Sequence, residues 1–188
     1  HILLSTDDAE TAGIVRGLGI EVEYMRPAEL AGDTSGSREV MLHAMDWAES
    51  QGIEYDCVVL LQPTSPFRTA DDIVACTQLL EPGIDMAVSV CEAADNPYFN
   101  IFETDADGYL HISKGDGKLT RRQDAPKAWV YNGAVYAINP ASLRAMPMGM
   151  FGHRVPSVMP RERSIDIDGP ADWLAAETIM SRQTLIKR

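Results

Sequence analysis

The sequence predicts an α/β domain of three layers built on a mainly parallel sheet, and three observations carry that expectation. Strand-like apolar runs alternate with helical periodicities in the order β, α, β, α, β, α as far as Leu80. The run Cys57-Val58-Val59-Leu60-Leu61 is unbroken and rich in β-branched residues, as in a strand covered on both faces. Pro63 and Pro66 then end it, because neither can continue a central ladder. Alternation of this kind requires crossover helices between parallel strands.

Ile2 to Leu4 reads as the first strand, and Ser5-Thr6-Asp7-Asp8 as the cap of a helix whose Ala12, Val15 and Leu18 share one face. Gly17 and Gly19 end that helix. Ile20 to Tyr24 alternates apolar and acidic residues like a half-exposed strand, and Arg26-Pro27 leads into the Gly-, Ser- and Asp-rich loop Gly32 to Ser37. Val40, His43, Ala44 and Trp47 mark the next helix, which delivers the chain to the strand ending at Gln62.

Gln62, Thr64, Ser65 and Arg68 leave the sheet at its carboxyl end, where open α/β sheets bind ligands. On its own, Pro-Thr-Ser-Pro equally describes an ordinary strand-to-helix loop. Thr69 reads as an N-cap with Asp72 in the first helical turn. Ile84 to Val90 supplies another buried strand. Tyr98 to Phe102 and Tyr109 to Ile112 are then expected to pair as a hairpin across Asp105-Ala106-Asp107-Gly108, an excursion from the sheet within residues 91–128. Trp129 to Ile138 returns as a strand and Pro140 to Met146 as a short helix, while Phe151 to Met159 reads as irregular and proline-limited. A final helix begins near Pro170. No repeat or linker divides residues 1–188, which read as a single domain.

The composition, 45% hydrophobic and 23% charged over 188 residues, is that of a globular chain with one well-buried core. A net charge of −12 provides no basic stripe for a nucleic-acid backbone, yet a small anion needs only a few local cations. Cys57, Cys76 and Cys91 lack metal spacing and fit thiols of a reducing cytoplasm, and no apolar run is long enough for a membrane span. Serines 5, 35, 37 and 65 have no His-Asp partner at recognisable spacing, and the four histidines show no zinc pattern, which disfavours hydrolase and zinc chemistry.

Asp166-Ile167-Asp168 is the strongest chemical candidate. In an extended chain residues i and i+2 point to one side, so the two carboxylates make a hard oxygen site suited to Mg²⁺. A bare Asp-x-Asp is a weak signal, and without context the favoured reading is that Asp168 caps the following helix while Asp166 is solvated. Arg26 precedes a proline and is biased to extended backbone, presenting its guanidinium fork to an acceptor. Gln62 offers donor and acceptor to a polyhydroxylated ligand. Arg121 and Arg122 suit a carboxylate, Asn132-Gly133 permits close backbone approach, and Tyr136 either walls a pocket or is core.

The string Gln62-Pro63-Thr64-Ser65-Pro66-Phe67-Arg68 resembles the Gln-Pro-Thr-Ser-Pro-Leu-Arg signature of the CMP-sialic acid synthetases, or acylneuraminate cytidylyltransferases, departing only at Phe67. The resemblance runs along nearly the whole chain through Ser5-Thr6-Asp7, Arg26 to Ala31, Arg121-Arg122-Gln123, Asn132 to Tyr136 and Ser164-Ile165-Asp166-Ile167-Asp168, with Gly169 where the family often has Thr. It implies a nucleotide-diphospho-sugar transferase (GT-A-like) fold and transfer of cytidylyl from CTP to a nine-carbon 2-keto sugar acid. Mg²⁺ would be held by Asp166 and Asp168, which with Gln62 form the catalytic set.

By the same resemblance Arg26 reads the cytosine and Ser37 helps hold the nucleotide, with Asp33 orienting either; Gln62, Arg122, Asn132 and Tyr136 meet the sugar. The hairpin is implied to cross a homodimer interface. An Arg of well-known sialate enzymes is replaced here by Val130, and Asn96 to Asn100, Arg122-Gln123 and Ala125-Pro126-Lys127 look more like legionaminate-type cytidylyltransferases. The family also carries a first strand and a phosphate loop ahead of the segment matching His1, which this chain is expected to lack. Three other readings stay open: a KDO-type cytidylyltransferase, a GT-A-like glycosyltransferase and an inactive dimerisation fragment.

Overall fold

A computed structural model describes residues 1–32 and 35–186, with side chains through Ser181. Helix α1 (Ala9–Gly17) starts where the Asp8 carboxylate accepts from the amides of Glu10 and Thr11. Helix α2 (Ser37–Ser50) precedes β1 (Val58–Leu60), and α3 (Ala70–Thr77) starts at the expected N-cap Thr69, which the structure shows to form a reciprocal capping box with Asp72. Then follow β2 (Met86–Glu92), β3 (Phe102–Thr104), β4 (Leu110–Ile112), β5 (Trp129–Ile138), α4 (Pro140–Ala145), β6 (Arg154–Val158) and α5 (Pro170–Ile186).

The principal sheet has the order β1-β5-β2-β6. It is mixed, which corrects the mainly parallel expectation. β1 and β2 run the same way, but β5 inserts antiparallel to both, and β6 alone lies parallel beside its neighbour β2. The β/α alternation fixes how consecutive strands cross over; it does not reveal that a strand arriving much later enters between them. Three layers result. Met41 and Met45 of α2 pack with Met86, Val88 and Ile138 on one face, while Cys76 of α3 packs with Ala87, Val135 and Ala137 on the other.

Residues 2–4 and 20–24, expected as strands, join no ladder among the described residues. They are linked through the Arg26 amide donating to the Thr6 carbonyl at 2.9 Å. Leu3 and Ser5 line one cavity of about 300 Å³ together with Val58, Val59 and Leu60. Pro156 lies within β6, correcting the irregular reading of Phe151 to Met159. At the sheet edge its missing N–H costs no ladder bond on the solvent side. Residues Tyr98 to Asn100 form a turn instead of a strand. The Asn96 carbonyl accepts from Phe99 and Asn100, its side chain accepts from Tyr98, and pairing begins only at Phe102.

The feature that shapes the site is a break in register. Val88 pairs with Tyr136 and Val90 with Tyr131, so Ser89 alone on β2 opposes Asn132, Gly133, Ala134 and Val135 on β5. Buried Ser89 accommodates the excess: its hydroxyl donates to Asn132 Oδ1 at 2.6 Å and accepts from the Val135 amide at 2.7 Å. Gly133 takes φ +71, a left-handed conformation open to glycine at little cost.

Candidate active site

The loop after β1 and the bulge in β5 are held against each other by their own backbone groups. Arg68 donates to the carbonyls of Gln62 at 2.8 Å and Ala134 at 3.0 Å, and burial pulls its pKa down without removing its charge. The fully buried Ser65 hydroxyl donates to the Asn132 carbonyl at 3.0 Å. The segment bearing the two aspartates is tied to the same loop, with the Ile167 amide donating to the Thr64 carbonyl at 2.8 Å.

Three polar side chains consequently converge on Gly133. A methyl group placed there would stand 2.9 Å from Ser65 Oγ, 3.0 Å from Asp166 Oδ2 and 3.0 Å from Gln62 Oε1. Asp166 Oδ1 is buried with no hydrogen-bond partner, an arrangement disfavoured for a carboxylate unless something cationic or donating meets it. Asp168 is exposed. Asp172, not Asp168, caps the start of α5, accepting from the amides of Asp168 and Gly169 at 3.2 and 3.0 Å and leaving the Asp168 carboxylate uncommitted. No cluster of three or more His, Cys, Asp or Glu occurs among the described residues.

A cleft of about 290 Å³ lies beside this convergence, lined by Ser37, Gln62, Tyr131, Tyr136, Met148 and Arg154 among others. The two tyrosine rings meet edge to face at 6.0 Å. Burial, then the Asp166 charge and Tyr131, raises the Tyr136 phenol pKa above its ordinary value. Ser37, at the first residue of α2, thus joins Gln62 and Tyr136 in one cavity.

The other sequence candidates lie elsewhere. Arg26 pairs with Asp7 at 3.3 Å, has its Nε buried without a partner, and does not line this cleft. Asp33 lies outside the described residues. Arg122 is exposed in a 3-10 turn and lines a separate cleft of about 510 Å³ with Lys127, Trp129 and Arg161. Asn132 is 3% exposed, and its side chain is spent internally: Oδ1 accepts from Ser89, and Nδ2 donates to Ser164 Oγ at 2.8 Å. Sequence reasoning singled out neither Ser89 nor Arg154. A serine opposite a bulge and an arginine on an edge strand have no local pattern that marks them.

A second clamp fixes the aspartate segment to α3. Arg163 donates to Asp72 from Nε at 3.0 Å and from Nη2 at 2.7 Å, while Asp72 also accepts from the amide and hydroxyl of Thr69. Burial alone would push the Asp72 carboxyl up, but these donors outweigh it and hold the pKa below the ordinary value. A depressed carboxylate stabilises the fold above its unfolded value of about 3.9 and loses that contribution as pH falls through the folded value. Arg163→Ala should therefore be less stable than wild type at pH 7, with the gap closing as pH drops below about 4. Urea unfolding at several pH values checks this, and a gap independent of pH would show that Asp72 is not the partner that matters.

No family profile matches the chain. It is 30% identical over 193 residues to the post-translational flagellin modification protein B of Campylobacter coli, spanning 98% of this chain and 79% of that protein. It is 28% identical to the CMP-N,N'-diacetyllegionaminic acid synthase of Campylobacter jejuni, again over 98% of this chain and 79% of the relative. Against the N-acylneuraminate cytidylyltransferase of Escherichia coli it is 26% identical over 97% of this chain and 42% of that longer protein. With this likeness extending over the same segments that build the Gly133 site, the chain belongs to the acylneuraminate cytidylyltransferase family.

Proposed function

We propose that the protein transfers a cytidylyl group from CTP to a nonulosonic acid, giving a CMP-sugar and pyrophosphate. The observation that carries this reading is the convergence of Gln62, Ser65 and Asp166 on Gly133, with the orphaned Asp166 oxygen beside a cleft that reaches Ser37. The sugar's anomeric oxygen bonds to the α-phosphorus as the α–β phosphoanhydride breaks. Pyrophosphate leaves with the bonding pair, and the hydroxyl proton passes to solvent. No protein nucleophile is required, so the protein's task is positioning.

Asp166 and Asp168 would hold Mg²⁺, and their chemistry fits it. Mg²⁺ is commonly held by one or two carboxylates together with substrate phosphates, and here one carboxylate oxygen is unpartnered while the second carboxylate is free. When bound, the ion offsets charge on the departing pyrophosphate. Gln62 and Tyr136 face the sugar, and Ser37 with Arg26 and Asp33 serve the nucleotide. By the resemblance Asn132 and Arg122 belong to the sugar set, but within one chain the Asn132 side chain is spent on Ser89 and Ser164 and Arg122 lines a separate cleft. Phe102, Tyr109 and Leu110 on the β3–β4 hairpin are 51%, 69% and 67% exposed, an apolar surface that a homodimer would bury. Use of CTP agrees with a cytoplasmic site of action, and no helix among the described residues is long and apolar enough to cross a membrane.

The test is pyrophosphate release from CTP with N,N'-diacetyllegionaminate, N-acetylneuraminate and KDO in turn, alongside light scattering of the same preparation. Turnover is expected with the nine-carbon acids, legionaminate preferred, on a dimer. Pyrophosphate release only with KDO, or transfer from a preformed nucleotide sugar, would overturn the reading.

A further inference from the structure

Among the described residues Arg154 is the one charged side chain lining the cleft that holds Ser37, Gln62, Tyr131 and Tyr136. It begins the edge strand β6, level with Met86 of β2. Its Nη2 donates to the Gly149 carbonyl at 2.6 Å, and Gly149 belongs to the same wall. That bond anchors one edge of the guanidinium over the cleft. Arg154 has no acidic partner among the described residues, so its remaining donors are available to a ligand.

The surroundings choose the kind of anion. In a chain of net charge −12, an unpaired cation in a cleft is the local feature that draws in and orients an anionic substrate. Asp166 does not line this cleft but approaches Gly133, so phosphates sharing a metal with Asp166 would lie outside the cleft. What faces Arg154 instead is a wall of two tyrosines, Met86 and Met148 with the Gln62 amide, which suits the C–H face and hydroxyls of a sugar.

We propose that Arg154 is a specificity-determining residue of this cleft, receiving the carboxylate of the sugar acid through charge-assisted hydrogen bonds. The assignment rests on the cytidylyl-transfer reading for the identity of the substrate, and on the cleft itself for the position of the charge.

The experiment compares wild type, Arg154→Met and Arg154→Lys with N,N'-diacetyllegionaminate and its neutral methyl ester, by calorimetric binding and by pyrophosphate release. A charged hydrogen-bonding pair lost from such a site weakens binding by roughly tenfold to a hundredfold. Arg154→Met should raise the KM for the acid by that factor and leave the KM for CTP within about twofold, erasing the preference for acid over ester. Arg154→Lys should restore part of the preference, which a merely structural role would not produce. An unchanged acid-to-ester preference in Arg154→Met, or a rise confined to the KM for CTP, overturns the proposal. Arg154-dependent binding of the acid without pyrophosphate release would sink the cytidylyl-transfer reading and leave the Arg154 assignment standing. Acid bound by neither wild type nor variant would sink both.

Discussion

Asp166→Asn is expected to lower turnover by at least about a hundredfold, close to 2.7 kcal/mol of transition-state stabilisation, without lowering the unfolding midpoint. The two halves of that result follow from one atom. Asp166 Oδ1 is buried and unpaired, so in the isolated protein the carboxylate costs stability, and an isosteric amide removes the charge that causes the cost. A residue retained for packing would behave the other way. Asp168 is exposed, and Asp172 rather than Asp168 caps α5, so Asp168→Asn should share the loss of turnover with little effect on stability. Mg²⁺ titration of both variants, with thermal unfolding alongside, checks the pair. Turnover within about threefold of wild type at unchanged Mg²⁺ dependence would remove Asp166 from the metal site.

What the sequence made legible is what local chemistry dictates. Two prolines after an apolar run place Gln62 just past a strand end, Thr69 announces an N-cap, and Asp105 to Gly108 announce a turn; each is present. What stayed hidden depends on distant partners. The position of β5 between β1 and β2 leaves no trace in the β/α alternation. The run from Tyr98 to Phe102 is apolar and aromatic like a strand, but its first residues are held in a turn by Asn96, which accepts from Tyr98, Phe99 and Asn100. The site shows the same division. Gln62, Tyr136 and Asp166 were visible as residue types at suggestive spacings, and the fold brings them together. Asn132 was visible too, but its side chain acts as a bracket between Ser89 and Ser164, which no one-dimensional pattern reveals. Arg122, next to Arg121 in sequence and apt for a carboxylate, lies on a different cleft of the same chain.

Gly133→Ala is expected to abolish activity and destabilise the fold, and comparison with a second glycine separates the causes. At φ +71 any side chain brings a left-handed backbone penalty of roughly 1–2 kcal/mol. Gly83, at φ +88 with nothing within 4 Å of an added methyl, would incur that penalty and nothing else. At Gly133 the methyl additionally meets Ser65, Asp166 and Gln62 at 2.9–3.0 Å. Ser65 is fully buried and bonded to the Asn132 carbonyl, so the strain falls on the two side chains proposed to touch substrate and metal. A displacement of about 1 Å in such groups is enough to cost a hundredfold in rate. Gly83→Ala should therefore lose about 1–2 kcal/mol of stability with full turnover. Gly133→Ala should lose more stability and at least a hundredfold in kcat/KM, even under conditions where it is fully folded. If both variants lost the same stability and both remained active, the close approach at Gly133 would be an accident of the bulge, and the convergence on it would not be the reaction site.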